Sequence, residues 1–315
     1  MRVLIVCFDN VGDMVFSSLL PASIEKEFPG SEIDYLCKPY AETVAYLIPD
    51  ISKVYSIKPY WSKKKQDKGS FFGFFSLFMK LRKEKYDVVL NVSKSWKPTF
   101  FCQLFGIRPI IGFDHKINKF ILSKSVRSFS KSIPVMESIA SLLNPIGIRP
   151  TKTSYKLNIE SENKFDSAYV VLHPFAGDAK RCAPLSLWMN LAISLKDKVK
   201  VVWFGTPEEL SILRQELSGR VHDFDFSDLL SNNQFLEAMK LLPNATLFIG
   251  HDSGPMHLAA SFDTPVLGLF LPGEPKRTFP QGGGRSKVIY KEKPALLSCD
   301  EVLEEALIII GDSMR

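Results

Sequence analysis

Cysteine is scarce and unpaired in this sequence. Cys7, Cys37, Cys102, Cys182 and Cys299 are scattered, odd in number and never spaced as C-x-x-C. That argues against a zinc site or a disulfide framework and fits a reducing cytoplasm. No apolar run reaches the roughly 20 residues that span a bilayer. The opening MRVLIVCFDN is too short in its apolar part, and meets acid too early, for a signal peptide, so it reads as a first strand. The G-x-G-x-x-G of dinucleotide sites is missing, which disfavours a nicotinamide oxidoreductase. Helix-turn-helix, RNP and zinc-finger patterns are missing too, so nucleic acid is not an expected partner.

What is present suits two globular domains. The chain has 315 residues, 45% hydrophobic and 23% charged, enough for two cores of about 150 residues each. Charge is uneven: residues 1–160 hold 24 Lys+Arg against 14 Asp+Glu, and residues 161–315 hold 16 against 20. A basic first half and a mildly acidic second half point to different ligands for each, with an anionic acceptor or anionic membrane surface suiting the first.

Apolar runs of strand length alternate with helix-length periodic segments, the pattern of βα units and parallel sheets. Strands are expected at 3–8, 32–37, 53–57, 87–92 and 109–113, and again at 169–173, 200–205, 221–225, 245–250, 265–270 and 286–290. Helices are expected at 13–28, 40–48, 71–84, 95–105 and 134–146, then at 184–195, 207–218, 232–241, 254–262 and 299–310. The polar, aperiodic stretch 149–168 reads as a linker. The expected domains are 1–155 and 156–315, with the last helix the one element that could return to the first domain. Both are Rossmann-like, so ligands should lie outside the carboxyl ends of their strands, in a cleft that the two face.

The richest passage is FIGHDSGPMHLAA at 248–260. It reads as a buried strand, a tight turn and a helix start, with Ser253 able to cap and Pro255 near the first helical position. Unpaired N–H groups and the helix dipole make such a start ready for phosphate. The segment Asp252, Ser253, Gly254, Pro255, Met256 and His257 would therefore hold a diphosphate, with Asp252 accepting from sugar hydroxyls and His257 in the first turn.

Three other loops follow strands. In Asp9-Asn-Val-Gly-Asp13, Gly12 permits a close backbone approach, and Asp13 at the helix start is either a general base or a helix cap. Asp9 reads as structural. In His173-Pro-Phe-Ala-Gly-Asp-Ala-Lys-Arg181, Gly177 would let amides approach an anion while Lys180 and Arg181 supply charge, or the pair is simply a solvated basic loop. His173 reads as a packed, hydrogen-bonded residue. In Phe204-Gly-Thr-Pro-Glu-Glu209, Glu208 and Glu209 either decorate the helix start or accept from ribose hydroxyls.

The stretch YWSKKKQDKGSFFGFFSLFMKLRKEKY at 60–86 is basic, aromatic, then basic. Phe71, Phe74, Phe75, Phe78 and Leu81 share helical spacing and read mostly as core. Lys63, Lys64, Lys65 and Lys68 form a loop suited to acidic sugars or lipid headgroups, or a solvated face, with Lys97, Arg127 and Lys131 adding to the field. The letters Asp-Phe-Asp at 223–225 resemble a metal-binding Asp-x-Asp but sit at a strand end, so no metal site is expected.

Across nearly its whole length the chain resembles the glycosyltransferase family 9 heptosyltransferases of lipopolysaccharide assembly. The resemblance rests on NVGDMVFSSLLPASI, HPFAGDAKRCAPLSLW and FIGHDSGPMHLAASFDTPVLGLFLPGEP. It implies an α/β protein of GT-B fold, in which two Rossmann-like domains bind acceptor and sugar nucleotide respectively. It implies inverting, metal-independent transfer from ADP-heptose, a substrate rather than a cofactor, to a glycolipid acceptor carrying Kdo or heptose. Such an enzyme would be cytoplasmic, with peripheral contact at the inner membrane. By likeness Asp13 is the catalytic base, Lys180 binds phosphate, Glu209 contacts the nucleoside, and Asp252 to His257 form the donor loop. Gly12, Lys63, Lys64, Lys65 and Arg127 fall to the acceptor. Where family members commonly have Lys-x-Trp-Pro, this chain has Lys180-Arg-Cys-Ala-Pro184. That departure keeps open a different nucleotide sugar, or a non-catalytic sugar-nucleotide-binding protein of the same fold.

Overall fold

The structure, a computed structural model, describes residues 1–62, 68–115, 117–127, 133–150, 154, 155, 157–162, 164–228, 232–282 and 284–313, with the side chains of all of these but 228 and 232–234. Lys63, Lys64, Lys65 and Lys131 lie outside the described residues. The chain divides into two compact units, Met1–Leu157 and Asn158–Arg315.

In the first unit, β1 (Arg2–Cys7), β2 (Glu32–Cys37), β3 (Lys53–Ser56), β4 (Val88–Asn91), β5 (Ile110–Phe113) and β6 (Lys124–Val126) form a six-stranded sheet in the order β3-β2-β1-β4-β5-β6. Its helices are α1 (Val11–Ser17), α2 (Leu19–Glu27), α3 (Glu42–Tyr46), α4 (Phe71–Lys83), α5 (Trp96–Leu104), α6 (Asn118–Ile121) and α7 (Val135–Ala140). In the second unit, β7 (Tyr169–His173), β8 (Lys200–Gly205), β9 (Asp225–Asp228), β10 (Leu247–His251), β11 (Val266–Phe270) and β12 (Ser286–Tyr290) take the order β12-β11-β10-β7-β8-β9. Its helices are α8 (Leu185–Lys196), α9 (Pro207–Glu216), α10 (Asn232–Leu241), α11 (Gly254–Ser261), α12 (Pro275–Thr278) and α13 (Cys299–Ser313). Every strand pair is parallel. Read from β9, the second sheet repeats the strand order of the first.

Central strands such as β1, β7, β10 and β11 are buried along nearly their whole length, as expected of sheets covered on both faces. In the first unit Phe74, Phe78 and Leu81 of α4 and Phe101 of α5 cover one face. In the second, Trp188, Leu191 and Leu195 of α8 join Val302, Ala306 and Ile310 of α13 in one core. The final helix packs on α8 and β10, within its own unit.

Several elements depart from the sequence pattern, each for a local reason. The helix expected at 13–28 breaks at Ser18. There Ser17 and Ser18 turn their hydroxyls onto the carbonyls of Met14 and Val15, at 2.8 and 2.7 Å, and Pro21 has no N–H to continue the ladder. The helix expected at 134–146 tightens into a 3-10 turn over Ser141–Ile146, with Pro145 inside, and Gly147 ends it at φ 87°. The strand expected at 221–225 is instead a 3-10 turn, Val221–Asp223, followed by β9. Register against β8, with Val202 opposite Asp225 and Gly205 opposite Asp228, outweighs the more apolar letters upstream. Edge strand β6 and the short helices α6 and α12 have no periodic signal to announce them. In α4 three of the five stripe residues are core, as expected of most of them: Phe74, Phe78 and Leu81 are buried, while Phe71 and Phe75 are exposed.

Candidate active site

An open parallel sheet binds ligands where its strand order reverses, outside the carboxyl ends of the strands. That point lies between β1 and β4 in the first unit and between β7 and β10 in the second. Polar side chains gather at both.

In the first unit the loops after β1 and β4 are tied together. Phe8 N–H donates to Ser93 Oγ at 2.7 Å, Ser93 N–H to Asn91 Oδ1 at 3.1 Å, and Asn91 Nδ2 to Thr99 Oγ1 at 2.6 Å. On that frame Lys94 N–H donates to Asp9 Oδ2 at 2.8 Å. Lys94 Nζ reaches Asp13 Oδ1 at 3.2 Å, and Asp13 Oδ2 accepts from Asn10 N–H at 3.2 Å. Asp13 sits in the first turn of α1, and its side chain keeps 17% of its surface exposed. It therefore caps the helix while part of its carboxylate stays open to solvent. Burial, then the charge of Asp13, pushes the Asp9 carboxyl above its ordinary range, in keeping with a structural Asp9. Gly12 lies in α1 beside this cluster. Arg127 is exposed just after β6, three strands from β1 in the sheet order, so it does not join the Asp13 cluster. Lys97 lies over the Trp61 ring, its Nζ 5.8 Å from the centroid. Lys94 is the residue that sequence reasoning missed; its one signal was its place two residues beyond the expected strand at 87–92.

In the second unit α11 opens where it was expected, with Ser253 as N-cap and Pro255 as the second helical residue. The cap itself differs. Ser253 makes no side-chain capping bond, and its buried Oγ has no hydrogen-bond partner. A buried, unpartnered hydroxyl is costly unless a ligand completes it. Pro255 has no N–H, so it fixes the chain rather than holding an anion; Gly254 and Met256 bear the first-turn amides that no helical carbonyl can satisfy. Asp252 is already engaged: His257 Nε2 lies 3.4 Å from Oδ1, Arg181 Nη1 3.7 Å from Oδ2, and Thr278 Oγ1 donates to Oδ2 at 3.1 Å. It thus holds Arg181 and His257 at the mouth of α11, and a carboxylate oxygen has more than one acceptor site. Thr278, 26 residues further on, had no sequence signal.

The loop after β7 carries Lys180 and Arg181 in a 3-10 turn, where Lys180 N–H donates to Asp178 Oδ1 at 3.0 Å. Both side chains are exposed. A Cβ on Gly177 would meet nothing within 4 Å, so space does not demand glycine there. His173 and His251 end β7 and β10 and are buried. His173 is pushed down to about 3 by burial and then by His251, and His251 to about 4, chiefly by burial. His251 Nε2 accepts from Ala183 N–H at 3.2 Å, tying the lysine loop to β10. Glu209 closes a capping box: Thr206 N–H donates to its Oε2 at 2.8 Å, and Glu209 N–H to Thr206 Oγ1 at 3.3 Å. Burial raises its carboxyl above the ordinary range.

Among the described residues, no group of three or more His, Cys, Asp or Glu could hold a metal ion. The two acids of Asp-Phe-Asp are ion-paired, Asp223 with Lys196 and Asp225 with Lys200, each at 2.8 Å. No helix among the described residues is long and apolar enough to cross a membrane.

Glycosyltransferase family 9 (heptosyltransferase) matches residues 74–298, a span holding Lys180, Glu209 and the 252–257 loop but not Asp13. The chain is 28% identical over 280 residues to lipopolysaccharide heptosyltransferase 3 of Escherichia coli, covering 82% of this chain and 80% of that one. It is 21% identical over 287 residues to the lipopolysaccharide core heptosyltransferase OpsX of Haemophilus influenzae, covering 86% and 79%. Among solved structures, E. coli ADP-heptose lps heptosyltransferase II superposes with a TM-score of 0.85 at 20% identity, over 100% of both chains. E. coli heptosyltransferase WaaC with ADP does so at 0.80 and 15%, over 98% of this chain and 100% of that one. With more than half of its length matched, the chain belongs to glycosyltransferase family 9, and it is a transferase built of two Rossmann-like units of the GT-B kind.

Proposed function

We propose that the protein transfers a heptose, with inversion and without a metal ion, from ADP-heptose to the inner-core region of a lipopolysaccharide acceptor. The observation that carries this is the mouth of α11. The Ser253 hydroxyl is buried and unpartnered, amides stand open beside it, and Asp252 holds Arg181 and His257 next to them. These are groups suited to a diphosphate. The relatives, named as lipopolysaccharide heptosyltransferases, favour this sugar and this acceptor.

Asp13 would take the proton of the acceptor hydroxyl as its oxygen forms a bond to the anomeric carbon. The bond from that carbon to the diphosphate oxygen breaks on the opposite face, and ADP leaves with the electron pair. Lys180, Arg181, His257 and the amides of Gly254 and Met256 would stabilise the charge gathering on the leaving diphosphate, the work a metal ion does in other transferases. The nucleoside would lie near Glu209, though its Oε2 is already held by Thr206 N–H. The exposed cations of the first unit would attract the phosphate and acid groups of the acceptor.

Thermal-shift titration of the full chain with ADP-heptose, other ADP-sugars, UDP-sugars and GDP-sugars tests the reading, because a ligand bound by the native state raises its melting temperature. ADP-heptose should give the largest rise. A preference for UDP- or GDP-sugars, or no shift with any of them, overturns it. The Lys180-Arg-Cys-Ala-Pro184 departure favours one second reading, a different ADP-sugar as donor, which the same titration would reveal.

A further inference from the structure

Helices α4 and α5 leave an aromatic surface uncovered in the first unit. Phe72 is 83% exposed and Leu104 63%, and Phe71 and Phe75 are about half exposed. The core does not need them, since α4 already fills it with Phe74, Phe78 and Leu81. Nor are they scattered. Phe71, Phe75, Met79, Arg82, Leu104 and Phe105 line one groove of about 370 Å³. The rings of Phe75 and Phe105 meet at 5.2 Å, and those of Phe71 and Phe72 at 6.1 Å. Helix α6, which packs on α5, carries a further exposed ring, Phe120, 78% exposed. Contiguous apolar surface of this kind marks an interaction site.

Charge says what covers it. The sequence has no Asp or Glu from Lys68 to Lys83, and none from Val88 to Phe113. Lys68, Lys80, Arg82 and Lys83 accompany α4, and Lys97 and Lys119 accompany α5 and α6. A second copy of the chain would set cations against cations. Exposed aromatic side chains on helices that carry Lys and Arg, with Arg82 lining the groove itself, match the boundary between acyl chains and anionic headgroups.

We propose that the α4–α5–α6 face docks on the surface of an anionic lipid bilayer. Phe71, Phe72, Phe75, Leu104 and Phe120 enter the acyl boundary while the cations of these helices pair with lipid phosphates. The inference is independent of which sugar nucleotide is used, and its test involves no sugar donor.

The test is co-sedimentation of the full chain with vesicles of phosphatidylethanolamine and phosphatidylglycerol, against vesicles of phosphatidylcholine alone, with the melting temperature and solution mass measured alongside. Wild type should bind the anionic vesicles and leave the neutral ones. The pair Phe72→Ser with Leu104→Ser should lower binding by roughly tenfold or more without moving the melting temperature, because both side chains are exposed. Lys83→Glu with Lys119→Glu should lower it comparably, and salt should abolish the wild-type binding. Equal binding to neutral vesicles, no binding to either, or serine variants that bind like wild type would overturn the proposal. So would a wild-type dimer that the serine pair turns into monomer, which would assign the face to a second copy.

Discussion

At the scale of single residues, Asp13 and Asp9 show how position divides two similar groups. Asp9 spends Oδ2 on Lys94 N–H and is driven toward its neutral form by burial and by Asp13. Asp13 has one oxygen on Asn10 N–H and the other on the Lys94 ammonium, yet a carboxylate oxygen has more than one acceptor site, so each can still take a hydroxyl. The two bonds fix the direction in which the carboxylate points, and a base must be aimed before its proton affinity matters. Asp13→Ala should therefore reduce transfer by about a hundredfold to ten-thousandfold and leave sugar-nucleotide binding unchanged. The check is a single-turnover assay beside a binding titration of the same variant. Undiminished turnover would remove Asp13 as the base.

At the scale of elements, β7 and β10 pair in register, Gly250 opposite His173, and each ends on a buried imidazole. A histidine whose folded pKa is depressed is neutral in the native state and takes up a proton on unfolding, so the folded form loses stability as pH falls below the unfolded value of about 6.5. The loss should run from there to about 4 for His251 and about 3 for His173, where the native state protonates too. Protonating His251 would also remove the acceptor for Ala183 N–H. The melting temperature should fall from pH 7 to pH 5, and NMR of labelled histidines should find both rings neutral in the folded protein at pH 5. An imidazolium signal from either at that pH would refute the assignment. The same strands show what could be read in the sequence. β2, β7 and β8 have the expected bounds because a strand buried on both faces is a continuous apolar run with turn residues at its ends, and the partly buried edge strand β12 has them too. The edges β9 and β6 are less legible, being polar and held by register to one neighbour. Within the candidate site, the α11 loop was legible because Ser, Gly and Pro at a helix start carry their own geometry. Lys94, Thr278 and the engagement of Asp252 were not, because they depend on which loops the strand order brings together.

At the scale of the whole molecule, one topology serves twice with different local charge. The first unit, in the basic half, places carboxylates after its first strand and a lysine after its fourth. The second, in the acidic half, places Lys180 and Arg181 after its first strand and Asp252 after its fourth. The loop after β7 also carries Asp178, on the Lys180 N–H, so the second crevice balances its two cations with two carboxylates, while the first sets Asp9 and Asp13 against Lys94. Each unit also has its own sheet and core, and the second, including α13, is of ordinary domain size. All the groups proposed to grip the diphosphate belong to that second unit. Segment 158–315 expressed alone should therefore melt in one cooperative transition and bind ADP within about threefold of the full chain, a difference of less than 1 kcal/mol. Calorimetric titration of ADP into both decides it. A cooperatively folded segment that takes up no ADP, when the full chain does, would move the nucleotide site out of the second unit, and a segment that fails to fold would deny that its core is self-sufficient.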